Sequence, residues 1–249
     1  MIVLGNLLFR IRNGFFPALW VLLMVALEPR PLFGDATWDL AADLAGFAII
    51  VAGLALRIAV IGLVNIPREG RKKRVHAARL ATTGLFRQVR NPLYVGNLIL
   101  FTGWLIMWNN PWAYLVGLPL GVFFYQAIIR AEEAFMEEQF GEEFRRYKQF
   151  SNRWLPRLGG LWASLQDHSF NWGRAVAKEY NIVLIWTFMA LTAMTVERVE
   201  GIGTLSPSFT LFGGLILGLV VGASTFIFVL KRQRILTGRG WSQQPRGTT

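Results

Sequence analysis

Two short stretches carry most of the chemistry-bearing residues. The first reads Gly84-Leu85-Phe86-Arg87-Gln88-Val89-Arg90-Asn91-Pro92-Leu93-Tyr94-Val95-Gly96 and joins a basic loop to a long apolar segment. Asn91 suits an N-cap, where its side-chain oxygen accepts an unpaired backbone N–H. Pro92 suits the first helical position, where its missing N–H costs nothing. The open N–H groups and the positive end of the helix dipole then gather beside Arg87 and Arg90, a place for an anionic or polar ligand group. Any membrane helix also needs a start and flanking arginines, so this stretch alone leaves both readings open. The second stretch, Ala131 to Pro156, places Glu132 and Glu133 where an apolar helix ends, with Tyr147 and Arg153 following. A carboxylate pair at a membrane boundary is costly unless solvated or met by donors. Arg57 lies deep in the apolar run Leu40 to Ile66, about nine residues from its end, roughly 13 Å at 1.5 Å per residue. It either snorkels to the interface or faces the bundle interior and meets an acidic partner or ligand.

These residues need a scaffold, and composition decides its class. The chain is 53% hydrophobic and 16% charged, with several apolar runs near the length that crosses a bilayer. An all-α integral membrane protein is expected, because helices satisfy their own backbone in lipid. Without cysteine, thiolate chemistry and disulfides are excluded. The two histidines, His76 and His168, are far apart, which argues against a histidine metal site, and no metal is expected. The net charge of +11 clusters at the ends of apolar runs. Membrane lipids and orientation explain it, and nucleic acid is not expected as a partner.

In chain order, Met1 to Phe9 reads as an interfacial helix and Phe15 to Leu27 as a short first span. Leu40 to Ile66 is the second span, and Pro67 to Arg79 a basic cytoplasmic loop. Leu93 to Trp108 and Trp112 to Ile129 form a helical hairpin about Asn109-Asn110-Pro111, with a kink at Pro119. Ala131 to Asn181 is polar, and its part from Leu161 to Tyr180 reads as lying at the headgroups. Ile182 to Val196 and Phe209 to Leu230 are the last spans, giving about six with both termini cytoplasmic. Gly214, Gly218 and Gly222 form a ridge suited to close helix contact, within the chain or in a homodimer. Three parts are expected: residues 1–39, a core over 40–158, and 159–249 with an extra helix pair and a basic tail.

The motif Gly84-x-x-x-x-x-Arg90-Asn91-Pro92-x-Tyr94-x-Gly96, the hairpin, then Glu132-Glu133-x-x-Met136, Phe140-Gly141, Phe144, Tyr147, Arg153 and Pro156, resembles the isoprenylcysteine carboxyl methyltransferase and phospholipid methyltransferase superfamily. Arg57 also fits a family arginine. The resemblance spans roughly Leu40 to Leu158. Asn91 stands where histidine is usual, as in the phospholipid-modifying branch, and Phe86 and Phe144 replace tyrosines.

The resemblance implies S-adenosylmethionine as cofactor, bound on the cytoplasmic face, and a lipidic small-molecule acceptor. Cofactor contacts would come from Arg90, Asn91, Pro92, Tyr94, Gly96, Glu132, Glu133 and Tyr147. Arg153 and Arg57 would orient an anionic acceptor. Glu133 would take a proton where the acceptor is an amine. Two other readings compete. One is a sterol-reductase-type enzyme, with NADPH held by the basic loop. The other is a non-enzymatic scaffold working through the glycine ridge.

Overall fold

In the computed structural model, the described residues are 1–30, 36–64, 80–157, 159–166, 169–202 and 207–233. The basic loop from Pro67 to Arg79, both histidines and the end of the tail lie outside them. The described residues are helical throughout, save one isolated parallel bridge between Val89 and Asn152. The elements are α1 (Ile2–Ala26), α2 (Ala36–Leu63), α3 (Leu85–Gln88), α4 (Pro92–Trp108), α5 (Leu118–Phe140), α6 (Glu142–Phe150), α7 (Leu161–Gln166), α8 (Trp172–Ile202) and α9 (Pro207–Arg232). The protein is an integral membrane helical bundle. Among the described residues, four helices are long and apolar enough to cross a bilayer. A fifth span is α1, if its two limbs count as one, and α4 adds a shorter apolar helix of 17 residues. Large apolar side chains such as Val3, Val25, Leu115 and Leu219 stand exposed, as lipid-facing residues do.

The expected break in the N-terminal segment is present. Ile2–Arg12 and Gly14–Ala26 meet at 79°. Pro17 follows closely, and a proline removes one helical hydrogen bond and crowds the preceding turn.

Glycine explains why α2 and α4 form the bundle's closest pair. A Cβ on Gly46 would come within 2.6 Å of the Gly103 carbonyl, and one on Gly103 within 2.6 Å of the Gly46 carbonyl. Gly53 and Gly96 repeat the arrangement seven residues along, with the helices antiparallel. Bare backbone at four positions lets the helices approach closely, which is how helices associate where lipid removes the hydrophobic drive. Beside this crossing Leu100, Trp104, Leu105 and Trp108 are fully buried. Trp104 stacks on Trp108 at 5.5 Å between centroids.

The hairpin between α4 and α5 turns where expected. Asn109 takes a left-handed conformation, φ 41°, a region asparagine tolerates. Asn110 Oδ1 accepts the Trp112 N–H at 2.8 Å and so starts the returning helix. Its first turns, Ala113–Gly117, are wound as a π-helix directly ahead of Pro119. A wider turn accommodates a residue that cannot donate.

The segment expected at the headgroups differs. Leu161–Gln166 is a short helix, but Trp172 to Tyr180 opens the 31-residue α8. The reason is the end of α2. Arg174 donates to the Ile61 and Gly62 carbonyls at 2.6 Å, and the Asn171 N–H donates to Gly62 at 2.9 Å. These polar residues satisfy the last carbonyls of α2 rather than facing solvent. By contrast α9 packs on α8, and Cβ atoms at Gly214, Gly218 and Gly222 would meet nothing within 4 Å.

Gly103→Val therefore should lower stability by about 1–3 kcal/mol through overpacking, and Gly218→Ala should stay within about 0.5 kcal/mol of the parent. Thermal denaturation of the two variants in detergent checks the contrast.

Candidate active site

The start of α4, the end of α5 and the segment after α6 meet around one carboxylate. Arg90 Nε donates to Glu133 Oε1 at 3.0 Å. Arg153 donates to Glu133 Oε2 from Nε at 3.1 Å and from Nη2 at 2.6 Å. Glu133 is buried, and two guanidinium groups offset the cost of burying its charge. Arg90 also donates to the carbonyls of Lys148, at 3.3 Å, and Ser151.

The backbone reinforces this junction. The Arg90 N–H donates to Asn152 at 2.8 Å and the Arg157 N–H to Gln88 at 3.0 Å. Residues 88–90 thus run alongside 152–157. The Phe86 carbonyl accepts from the Tyr147 hydroxyl at 2.6 Å and from Ser151 Oγ at 3.1 Å. Burial pushes the Tyr147 hydroxyl up to about 12, so it remains a donor at neutral pH.

Asn91 occupies the N-cap position, but its side chain does not cap the helix. Its Nδ2 donates to the Arg153 carbonyl at 3.3 Å, while its own carbonyl accepts from the Tyr94 and Val95 N–H groups. The amide is drawn to the Arg153 segment, which replaces the expected cap. Pro92 is buried at the first helical turn. Two residues on, the Tyr94 hydroxyl donates to Glu132 Oε1 at 2.8 Å. Consecutive residues on a helix point in different directions. Glu133 accordingly faces the Arg90–Arg153 side and Glu132 the Tyr94 side.

Arg57 and Gly96 lie deeper. A Cβ on Gly96 would meet Arg57 Cγ at 2.7 Å, so the glycine makes room for the arginine stem and for α2. Arg57 is 5% exposed and faces the interior, the second of the two alternatives open to it. Its partner is Glu179 on α8, which accepts from Nε at 2.8 Å and from Nη2 at 3.0 Å. Nη1 donates to Asn97 Oδ1 and, at 3.4 Å, to the Leu93 carbonyl. The guanidinium thus ties α2 and α8 to the first turns of α4.

Beside the Glu133 junction opens a cleft of about 650 Å³. Thr82, Gly84, Arg87, Tyr147, Phe150 and Arg157 are among its lining residues. That volume is in the range of small-molecule sites.

The residues expected at the site therefore form two groups. Arg90, Asn91, Pro92, Tyr94, Glu132, Glu133 and Arg153 share one end of the hairpin, and of the expected residues Tyr147 lines the cleft. Arg57 and Gly96 sit at the helix crossing. Glu179, Arg12, Ser151 and Asn97 escaped the sequence reading. The demand of Arg57 for an acid was a signal for Glu179, masked because that acid stands in a stretch polar enough to look superficial. No group of three or more His, Asp or Glu side chains among the described residues is arranged to hold a metal.

Residues 43–143 match the family model described as phospholipid methyltransferase. This match is consistent with the isoprenylcysteine and phospholipid methyltransferase superfamily, a class of membrane methyltransferases. An uncharacterised protein of Haemophilus influenzae is 35% identical over 63 residues, 25% of this chain and 100% of that protein. The cobalt-zinc-cadmium resistance protein CzcN of Cupriavidus metallidurans is 28% identical over 157 residues, 62% of this chain and 68% of its own length. No solved structure matches the chain.

Two outcomes are expected. Glu179→Ala strands a buried guanidinium and should cost about 3–5 kcal/mol, whereas replacing both Arg57 and Glu179 by Met should cost clearly less. Chemical unfolding of the single and double variants measures the difference. Tyr147 has a folded-state pKa of about 12, above the ordinary tyrosine value near 10. Its contribution is intact below pH ~10 and is lost as pH rises toward ~12. Tyr147→Phe should flatten the decline in stability across that alkaline window, measured by thermal shift against pH.

Proposed function

We propose that the protein transfers a methyl group from S-adenosylmethionine to a lipid or lipid-linked acceptor, either a phospholipid amine or the carboxylate of a prenylated or other lipidic substrate. The observation that carries this reading is the convergence on Glu133 of Arg90 and Arg153, with Arg90 and Glu133 inside the segment that matches the phospholipid methyltransferase family. Both named relatives come from bacteria, which supports a location in the inner membrane. The concentration of Lys and Arg on one set of loops supports cytoplasmic termini and a cytoplasmic site.

The residues present suit the donor. Its ammonium and ribose hydroxyls call for carboxylates, and Glu132 and Glu133 stand at the junction. Its carboxylate calls for guanidinium or backbone donors, which Arg90 and the start of α4 supply. Aromatic faces such as Tyr147 suit a sulfonium. When bound, the donor supplies an electrophilic methyl carbon. The acceptor's lone pair forms the new bond as the carbon–sulfur bond breaks, and the electron pair leaves on sulfur.

The protein's own part is alignment and exclusion of water, worth several kcal/mol when reacting atoms are held in line. The junction at Glu133 fixes the start of α4 against the segment after α6, so the two walls of the site do not drift apart. A carboxylate acceptor is already ionised and needs no base. An amine acceptor releases a proton, for which Glu133 or Glu132 is the nearest base. Arg153 orients an anionic acceptor, and Arg57 acts from behind through the first turn of α4.

Calorimetric titration of the purified protein in detergent should show binding of S-adenosylmethionine and none of NADPH. Asn91→Ala and Glu133→Ala should each weaken that binding by about tenfold or more. Binding of NADPH alone would replace this reading with the reductase one. Unaltered affinity in either variant would remove that residue from the site.

A further inference from the structure

The limb Ile2–Arg12 lies outside the residues matched by the family, yet it reaches the site. It lies on α5 through Gly5, where a Cβ would come within 2.1 Å of the Ala127 carbonyl. Its outer face, with Ile2, Val3, Leu7 and Ile11, is apolar and exposed. Such an exposed apolar face suits a limb lying in the membrane plane at headgroup depth. Leu8 and Phe9, with Phe15 and Phe16 beyond the bend, pack around Phe124, Tyr125 and Ile128, together with Tyr94 and Trp154. At the limb's end Arg12 stacks on Phe9, with Cζ 3.9 Å from the ring centre.

A basic residue on an interfacial helix ordinarily turns its head to water. Arg12 turns inward. Its Nη1 donates to the Tyr94 hydroxyl at 3.1 Å and stands 3.8 Å from Glu132 Oε1. The Arg12 side chain is 36% exposed, so the ion pair with Glu132 is screened and contributes little to the fold. Glu132 already has the closer Tyr94 hydroxyl. Both contacts run through Nη1, on one edge of a planar fork with five N–H donors. Guanidinium is weakly hydrated and matches phosphate and carboxylate through paired hydrogen bonds. Arg12 thus stands where the bilayer, the aromatic cluster and the carboxylates of the site meet.

We propose that Arg12 is a specificity-determining residue, which takes the oxyanion of the acceptor's headgroup, a phosphate or a carboxylate, as the acceptor enters from the membrane. This rests on the methyltransferase reading for the word acceptor, but not for the binding itself. An amphiphile is favoured over a soluble anion because the guanidinium rests on the Phe9 ring and the same limb carries the exposed apolar Ile2, Val3, Leu7 and Ile11.

The test uses the purified full chain in detergent, with Arg12→Gln and Arg12→Lys. Retention of dioleoylphosphatidylglycerol and of dioleoylglycerol, which lacks the phosphate, is read by native mass spectrometry. Glycerol 3-phosphate serves as the soluble phosphate, and S-adenosylhomocysteine affinity is measured in parallel. The parent protein should prefer the phosphate-bearing lipid. Arg12→Gln should lose that preference by about tenfold, and Arg12→Lys, which keeps the charge but not the paired N–H fork, by about threefold. S-adenosylhomocysteine affinity should stay within about twofold in both variants.

Equal lipid retention by parent and Arg12→Gln would overturn the proposal. So would glycerol 3-phosphate displacing the lipid at equal concentration, or a variant losing S-adenosylhomocysteine while retaining the lipid as before. Failure of the parent to bind S-adenosylhomocysteine would instead end the methyltransferase reading, and an Arg12-dependent lipid preference would then stand as binding alone.

Discussion

A single buried carboxylate between two guanidiniums holds the working end of this protein together. Glu133 accepts from Arg90 and from Arg153, which come from segments flanking opposite ends of the hairpin and its following helix. A lone carboxylate there would be strongly penalised, and so would Arg90, whose side chain is equally buried. The buried pair, with Arg153 closing it from the more exposed side, favours the meeting of the segments that carry them. The alignment of residues 88–90 with 152–157 and the double use of the Phe86 carbonyl follow from that meeting.

The helices behind this junction obey a different rule. In lipid, apolar side chains gain little by leaving their surroundings, so close backbone contact and internal polar pairs do the work of association. The Gly46–Gly103 and Gly53–Gly96 contacts supply the first, and Arg57 with Glu179 supplies the second. The two devices are adjacent, because the bare backbone at Gly96 leaves space for the Arg57 stem. A polar pair in the bundle interior thus fixes the helix whose first turn carries Asn91 and Tyr94. The helix supplying Glu179 begins beyond the matched family segment, so a later part of the chain steadies the start of α4.

Much of this was legible in the residues. Apolar runs announced the helices, Asn109-Asn110-Pro111 announced the hairpin turn, and charged residues at helix ends announced the cluster. Interactions that depend on distant pairing were hidden. Asn91 reads as a cap from its neighbours, but its amide is claimed by the Arg153 carbonyl, a partner far along the chain. The polar stretch opening α8 reads as superficial because its composition does not reveal that α2 ends beside it with unpaired carbonyls. Arg12 looks like a boundary residue of an apolar helix until the bend at Asn13 and Gly14 turns it toward Tyr94. Asp43, also in α2, is buried with one carboxylate oxygen unpartnered, and nothing in the apolar pattern around it signals that burial.

The central claim is that the start of α4 and the end of α5 wall one chamber for a nucleoside-bearing methyl donor. Ultraviolet cross-linking of methyl-labelled S-adenosylmethionine to the purified protein, followed by peptide mapping, tests it most directly. Label on peptides from both 84–96 and 131–156, competed away by unlabelled S-adenosylhomocysteine, is the predicted result. Competable label confined to the α8–α9 region, or no competable label at all, would contradict it.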